Sequence, residues 1–377
     1  MAARLFVPVT SAIMRILVLG GTSFVGRAVV ADALQSGADV TLFNRGKTGT
    51  GLFPEVPRLA GDRDSGDYAA LRDGNWDAVV DVTGYVPRHV GQAMDALGDR
   101  DTGDYAALRA GHWDAVVDVS GYVPRHVGQA MDALGDRAGW YLFISSHAVY
   151  RDEGLRPGAD EDAPRREPVR YVDDTEELDD STYGPCKVAC EDDVMARYGG
   201  RATIVRAGKV AGPHDPQRGL TYWVRRASRG GRVAVPANPE QPVQITDSRD
   251  LARLVVQLLA DDRPGAFHAV GPAEPVTLGG LIEACARAAG TEVEIVEVPR
   301  ETATAFFPLI RDDWAGQQRS PARARAAGMS ATPLEVTIAD VLAWDRARGE
   351  PPLEGGFTPE QEQAVLAQYG NRRSGPG

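Results

Sequence analysis

The stretch R-I-L-V-L-G-G-T-S-F-V-G, Arg15–Gly26, decides the fold. Ile16–Leu19 is a short apolar run of the kind a buried parallel strand shows, and two glycines close it. A helical pattern follows from Val25 to Gln35, and Asp39–Phe43 reads as a second strand. Strand, glycine-rich turn, helix and strand make a βαβ unit. Glycines keep such a turn tight and let backbone N–H groups approach a pyrophosphate, and the helix N-terminus adds the positive end of its dipole. The turn predicts a dinucleotide site at Gly20, Thr22, Ser23, Phe24 and Val25, with Ser23 standing where the middle glycine of the usual pattern would be.

Further strand candidates are Ala78–Val82, Ala115–Val119, Trp140–Ile144, Ala202–Val205 and Ala266–Val270, most of them separated by helical segments. This alternation predicts an α/β protein with a Rossmann-type doubly wound parallel sheet and a smaller C-terminal substrate-binding domain. Residues 14–206 plus about 240–272 form the expected dinucleotide domain, and about 207–239 plus 273–350 the substrate domain. Residues 1–13 read as a disordered extension, with Met14 the natural start, and residues 351–377 as a tail. Asp160–Asp180, rich in acid, arginine and proline, reads as a long surface loop of the kind that overhangs a site.

A near-perfect repeat interrupts the order. Asp62–Gly98 returns as Asp99–Gly135, 37 residues each, differing only at Ser65/Thr102, Asp73/Ala110, Asn75/His112 and Thr83/Ser120. Two units are too few for a solenoid, so this reads as a tandem duplication inside a complete fold. One copy is expected to supply the strand beside the first strand, and the spare to lie outside the core as an edge element or docked excursion. The second copy leads through one helix to the next strand, which favours it slightly and puts Ser120 and Gly121 by the nicotinamide ribose.

The bulk numbers narrow the function. A net charge of −12 disfavours a general nucleic-acid binder, which needs a basic face. Three cysteines, Cys186, Cys190 and Cys285, fit a reducing cytoplasm, and no second Cys/His pair completes a zinc site, so no metal is expected. No apolar run approaches the ~20 residues of a membrane span. The expected partner is a small-molecule substrate; association as a homodimer is allowed.

The second strand ends L-F-N-R-G-K, without the acidic residue that grips a ribose 2′-hydroxyl. Asn44 and Arg45 stand there, and Arg45 would pair with a 2′-phosphate, slightly favouring NADP. Asp62, after the third strand, would bring a carboxylate near the adenine amino group. Further on, Tyr183-Gly-Pro-Cys-Lys187 sets a phenol and an ammonium at i and i+4, on one helix face. Pro185 requires that this be the first turn. A free phenol is too weak a base at neutral pH, and a nearby ammonium favours phenolate. Ser146, at the carboxyl edge of the strand Trp140–Ile144, is the natural hydroxyl partner.

G-G-T-S-F-V-G, S-S-H-A-V-Y (Ser145–Tyr150), Y-G-P-C-K and R-A-G-K-V-A-G-P (Arg206–Pro213) follow one another in the order and spacing of extended short-chain dehydrogenases/reductases. More narrowly, the chain resembles the NAD-dependent epimerase/dehydratase family from about Met14 to Arg348. The resemblance implies NAD(P) as cofactor, Tyr183 as acid/base, Lys187 as its activator and ribose contact, and Ser146 as hydroxyl partner. A true epimerase would favour NAD. Dehydratases of this family carry an acidic pair where His147 and Ala148 stand, and nucleotide-sugar enzymes carry arginine at His214. His147, Lys209 and His214 are the candidate substrate residues, His147 also as a second acid/base. Two readings follow: an oxidoreductase or epimerase acting on a secondary alcohol or ketone of a sugar-like or nucleoside-like molecule, and a cofactor-binding redox sensor or nucleic-acid-associated relative without turnover.

Overall fold

The structure is a computed structural model and describes residues 13–61, 69–71, 76–82, 113–119, 121–171, 178–179, 181–272, 274–303, 306–312 and 314–369. The expectations placed on residues 1–12, on Asp62, on Ser120 and on the last eight residues of the tail fall outside them.

The strands run β1 (Arg15–Leu19), β2 (Asp39–Asn44), β3 (Arg58–Ala60), β4 (Ala78–Asp81), β5 (Trp113–Asp118), β6 (Ala138–Ser146) and β7 (Ala202–Ala207). They continue as β8 (Lys209–Ala211), β9 (Gly231–Val235), β10 (Pro242–Val243), β11 (Ile245–Asp247), β12 (Gly265–Ala269), β13 (Val276–Thr277) and β14 (Val293–Glu297). Eight of them form one sheet in the order β12-β7-β6-β5-β4-β1-β2-β3. Every pairing within it is parallel. The order reverses at β1, where the chain goes first to β2 and β3 and later returns to the other side. Such a switch point opens a crevice at the carboxyl ends of the strands.

Alternate residues of the strands feed two cores. Val18, Leu42, Val80, Val117, Leu142 and Val205 pack beneath the helices Phe24–Gln35 and Ser248–Ala260. Leu17, Val79, Val116, Tyr141 and Ile204 pack beneath the helices Pro124–Leu134 and Tyr183–Tyr198. This is the period-two alternation of a strand covered on both faces. A further core gathers Leu220, Trp223, Val233, Leu281, Ile282, Phe307, Ile338 and Val341, all from beyond β7. Asp247 and Asp250 tie this part to the sheet: Thr337 Oγ1 donates to Asp247 (2.6 Å), and Ser330 and Thr332 donate to Asp250.

The repeat departs from expectation. The strand of neither copy is an edge element or an excursion: β4 pairs with β1, and β5 lies between β4 and β6, so both strands stand in the middle of the sheet. A parallel strand buried on both faces asks only for apolar residues and free backbone bonds on either side. A second A-V-V-D strand meets that requirement as well as the first.

Candidate active site

The turn after β1 has the backbone its glycines permit. Gly20 and Gly21 have φ of +102° and +77°, and a Cβ on Gly21 would stand 2.8 Å from Leu42 Cδ2. Only glycine fits there. Ser23 is the N-cap of the helix Phe24–Gln35 and makes no side-chain cap bond. Phe24 and Val25 are buried, so their contribution to a ligand is backbone N–H. Gly26 is pressed on the residue after β4, its would-be Cβ 2.6 Å from Val82 Cγ2. At the end of β2, Asn44 Oδ1 accepts the Gly46 N–H (3.0 Å), while Asn44 Nδ2 is buried without a partner; Arg45 beside it is exposed. A left-handed glycine turn, an uncapped helix start and an orphaned amide donor fit a dinucleotide along this edge.

The reactive residues come together at the carboxyl end of β6. Ser146 ends that strand, and its Oγ accepts the Ala148 N–H at 3.1 Å. The helix Tyr183–Tyr198 starts at Tyr183, with Pro185 in its first turn as required. Asp179 shapes the approach: its carboxylate accepts the hydroxyls of Ser181 and Thr182 and then their N–H groups, which together hold it down at about 2. Gly184 explains how the helix can sit so close. A Cβ there would lie 2.2 Å from Ala148 O, so the glycine lets the Tyr183 turn rest directly on the turn that follows Ser146. One turn further, Lys187 is buried and its Nζ donates to Gly121 O (2.6 Å) and Ile144 O (2.9 Å). Tyr122 stands between the pair, its ring 6.1 Å from that of Tyr183 and 5.2 Å from Lys187 Nζ.

A buried network that the sequence did not announce stiffens this end of the sheet. Arg206, on β7, donates to both carboxylate oxygens of Glu191 on the Tyr183 helix (2.9 and 2.8 Å). It also donates to Tyr150 Oη at 2.5 Å. His268 Nδ1 donates to Ser320 O (3.0 Å), leaving Nε2 to accept from Tyr150 Oη (2.5 Å). His268 is therefore neutral, and burial lowers it to about 4. Removing one partner of such a buried ion pair costs about 3–5 kcal/mol, because the other charge is left in a dry site. Glu161, from the loop expected to lie on the surface, is buried here too, accepting the His268 N–H at 2.8 Å.

The three candidate substrate residues part company. His147 and Lys209 share a neighbourhood: His147 follows Ser146, Lys209 opens β8 at the end of β7, and each lies in the field of Arg311. His214 lies elsewhere, its Nε2 2.6 Å from Arg27 Nη1 and its ring 5.3 Å from that of Trp344. Burial, with Arg319, Arg311 and Lys209, pushes His147 down to about 3. That direction favours a neutral imidazole at this position. Among the aromatic residues of the segments that leave the sheet, Trp223 and Phe307 are buried in the core, and Phe306 and Trp314 are exposed. A pocket lined by Met14, Asp77, Asp114, Trp140 and Leu259 lies at the amino-terminal ends of the strands, away from all this chemistry. Among the described residues no group of three or more His, Cys, Asp or Glu side chains could hold a metal, and no helix is long and apolar enough to cross a membrane.

The extra strand leaves a mark on the site. The glycine turn after β1 and Ser146 after β6 are separated by β4 and β5. Three strand spacings of ~4.8 Å make roughly 14 Å, against roughly 10 Å with one strand between.

A parallel sheet with a dinucleotide turn at its switch point and a Ser, Tyr and Lys set at the neighbouring strand ends defines an extended short-chain dehydrogenase/reductase. The chain matches the NAD dependent epimerase/dehydratase family over residues 16–270 and belongs to it. It is 26% identical over 306 residues to the chloroplast stem-loop binding protein of 41 kDa b of Arabidopsis thaliana, covering 76% of this chain and 67% of that protein. Its fold is that of the UDP-glucuronic acid 4-epimerase from Bacillus cereus solved with NAD (TM-score 0.58, 15% identity, 90% of this chain and 99% of that one). RMD from Pseudomonas aeruginosa, solved with NADPH, is similar in the same way (TM-score 0.56, 19% identity, 89% and 99%).

Proposed function

We propose that the chain is an NAD(P)-dependent oxidoreductase or epimerase that acts on a secondary alcohol or ketone of a sugar-like or nucleoside-like small molecule. The observation that carries this is the seat of Gly184 on Ala148 O, which holds the first turn of the Tyr183 helix against the turn after Ser146. A bound nicotinamide supplies the hydride donor or acceptor. Tyr183 gives or takes the hydroxyl proton, and Ser146 donates a hydrogen bond to the same substrate oxygen. Lys187, anchored by two carbonyls, keeps one N–H for a ribose hydroxyl and stabilises developing phenolate charge. Arg45 slightly favours NADP; an epimerase, which must keep its reduced cofactor, would favour NAD. Substrate contacts come from the segments that leave the sheet, about 207–239 and 273–350.

Tyr183→Phe removes the proton carrier and leaves the glycine turn intact. Turnover is expected to fall ~10²–10⁴-fold while NAD(P) affinity is kept. The measurement is steady-state oxidation of a panel of secondary alcohols alongside a cofactor titration. More than a tenth of parent turnover in the variant would sink the assignment.

The similarity to a stem-loop binding protein favours a second reading, a cofactor-binding relative that attaches to structured RNA. Against it stand the net charge of −12 and the complete Ser146, Tyr183 and Lys187 set. A gel shift with a stem-loop RNA separates the two readings.

A further inference from the structure

Two histidines at this end of the sheet are wired in opposite senses. His268 uses both ring nitrogens inside the fold: Nδ1 donates to Ser320 O (3.0 Å), and Nε2 accepts from Tyr150 Oη. His147 uses one. Arg319 Nη1 lies 3.0 Å from His147 Nδ1. A guanidinium only donates, so Nδ1 accepts and the ring proton sits on Nε2; a protonated ring would set two donors face to face. Among the described residues Nε2 has no hydrogen-bond partner. The two nitrogens of an imidazole face away from each other. With Nδ1 turned to the buried Arg319, the Nε2–H of the half-buried His147 is turned outward, at the carboxyl end of the strand that carries Ser146. Burial lowers His147 to about 3 and His268 to about 4, which favours the neutral form of both.

The donor in this contact is fixed. The Arg319 guanidinium also donates to Gly316 O and lies over the Tyr150 ring, 5.2 Å from its centroid. Gln244 grips the backbone: its Nε2 donates to Arg319 O (2.7 Å), and its Oε1 accepts the Arg319 N–H (3.1 Å). Gln241 holds the preceding stretch in the same way, through Leu309 O (2.8 Å) and the Arg311 N–H (3.0 Å). The chain on either side of Arg319 is tied to the segment that follows β6. The Gly158 N–H donates to Gln318 O (2.6 Å), and the Ser320 N–H to Ala159 O (2.9 Å). A guanidinium held at these points keeps one orientation, and it imposes one tautomer on His147.

Ser146 Oγ accepts the Ala148 N–H (3.1 Å), which leaves its hydroxyl hydrogen to donate outward. Successive residues thus present two neutral donors, an O–H and an N–H, and such a pair is matched by two oxygens on neighbouring carbons. We propose that His147 is a specificity-determining residue that donates from Nε2 to a substrate oxygen on the carbon next to the reacting one, so that the substrate is a vicinal diol or its α-hydroxy ketone. Arg319 acts through His147, as the positioning residue that fixes its tautomer. The substrate half of this rests on the Ser146 and Tyr183 reading above; the Nε2–H tautomer stands without it.

Long-range ¹H–¹⁵N spectra of the histidine rings in the full chain test it, with His268 as the internal reference. His147 is expected in the Nε2–H form and His268 in the Nδ1–H form. Arg319→Leu is expected to leave His147 in a mixture of tautomers, and Arg319→Lys, which still donates, to keep Nε2–H. Cyclohexane-1,2-diol is then titrated against cyclohexanol with NAD(P)H present, which leaves both alcohols unreacted. The diol is expected to shift the His147 Nε2–H saturably and to bind roughly two- to tenfold tighter than the mono-alcohol, the range of one neutral hydrogen bond. His147→Phe keeps a ring without a donor and is expected to erase that preference in ligand-detected spectra. His147→Gln returns an amide donor at similar reach and is expected to restore it. A His147 ring in the Nδ1–H form, an Nε2–H that moves alike with both alcohols or with neither, or a diol preference that survives His147→Phe overturns the proposal. If Tyr183→Phe keeps its turnover while the diol still shifts His147, the catalytic reading falls and the His147 site remains.

Discussion

β4 and β5 share the sequence A-V-V-D and lie side by side with each residue opposite its own copy, from Ala78 against Ala115 to Asp81 against Asp118. Their tryptophans stack as well, Trp76 on Trp113 at 6.3 Å between ring centroids. Their neighbours differ. β4 lies on β1, and Val82 beyond it presses on Gly26 of the dinucleotide turn. β5 lies on β6, and Gly121 beyond it offers the carbonyl that holds Lys187. In a sheet with one such strand, a single element would touch both. Here the border at the glycine turn and the border at Lys187 are divided between two copies. Identical strands have taken different tasks because of what flanks them.

The comparison breaks most sharply if one copy is removed. Deleting residues 62–98 joins Gly61 to Asp99 and lets β5 take the register of β4 against β1. The turn and Ser146 then draw together by one strand spacing, ~4.8 Å. The variant is expected to fold, to bind NAD(P), and to melt no lower than the parent. Since misplacement by ~1 Å can cost 10²-fold, turnover is expected to rise by about that factor or more. An insoluble product, or a folded one that no longer binds cofactor, refutes the interchangeability of the copies.

A smaller effect tests whether the copies matter equally to stability. Trp113→Phe and Trp76→Phe remove the two halves of one stack. Each is expected to cost about 1–2 kcal/mol, with the double variant costing less than the sum. Denaturant unfolding measures this. A much larger cost at Trp113 alone would make β5 the structural strand and β4 the addition.

The smallest effect concerns the turn. Asp118 accepts the Gly121 N–H at Oδ1 (3.0 Å) and the Tyr141 hydroxyl at Oδ2 (2.8 Å). Asparagine replaces one acceptor by a donor, so Asp118→Asn is expected to cost about 1 kcal/mol. It should also slow turnover through the Lys187 anchor at Gly121, where Asp81→Asn does not. Equal kinetics in the two variants would show that the anchor does not depend on Asp118.

What could be read in the sequence is what lies close along the chain. The glycine turn, the Tyr183 and Lys187 spacing and the serine at the end of a strand are set by neighbours within a few residues, so periodicity and motif expose them. The places of β4 and β5 are not, since either copy satisfies the same local rules and only pairing across the sheet decides. The contact of Arg319 with His147 was hidden for a similar reason, since the two stand 172 residues apart in the chain. The one sequence signal near it was the departure from the family pattern at His147. The Arg206, Glu191, Tyr150 and His268 network left no local trace, because each member alone looks like an ordinary polar residue.

Gln241 and Gln244 give the cleft a dial as well as a clamp. They belong to one short stretch, yet they fix the backbone of two arginines on different loops. A change at either glutamine would move one arginine relative to Ser146 while leaving the other in place. One short stretch thereby sets the backbone at Arg311 and at Arg319 separately, so that each position has its own adjustment.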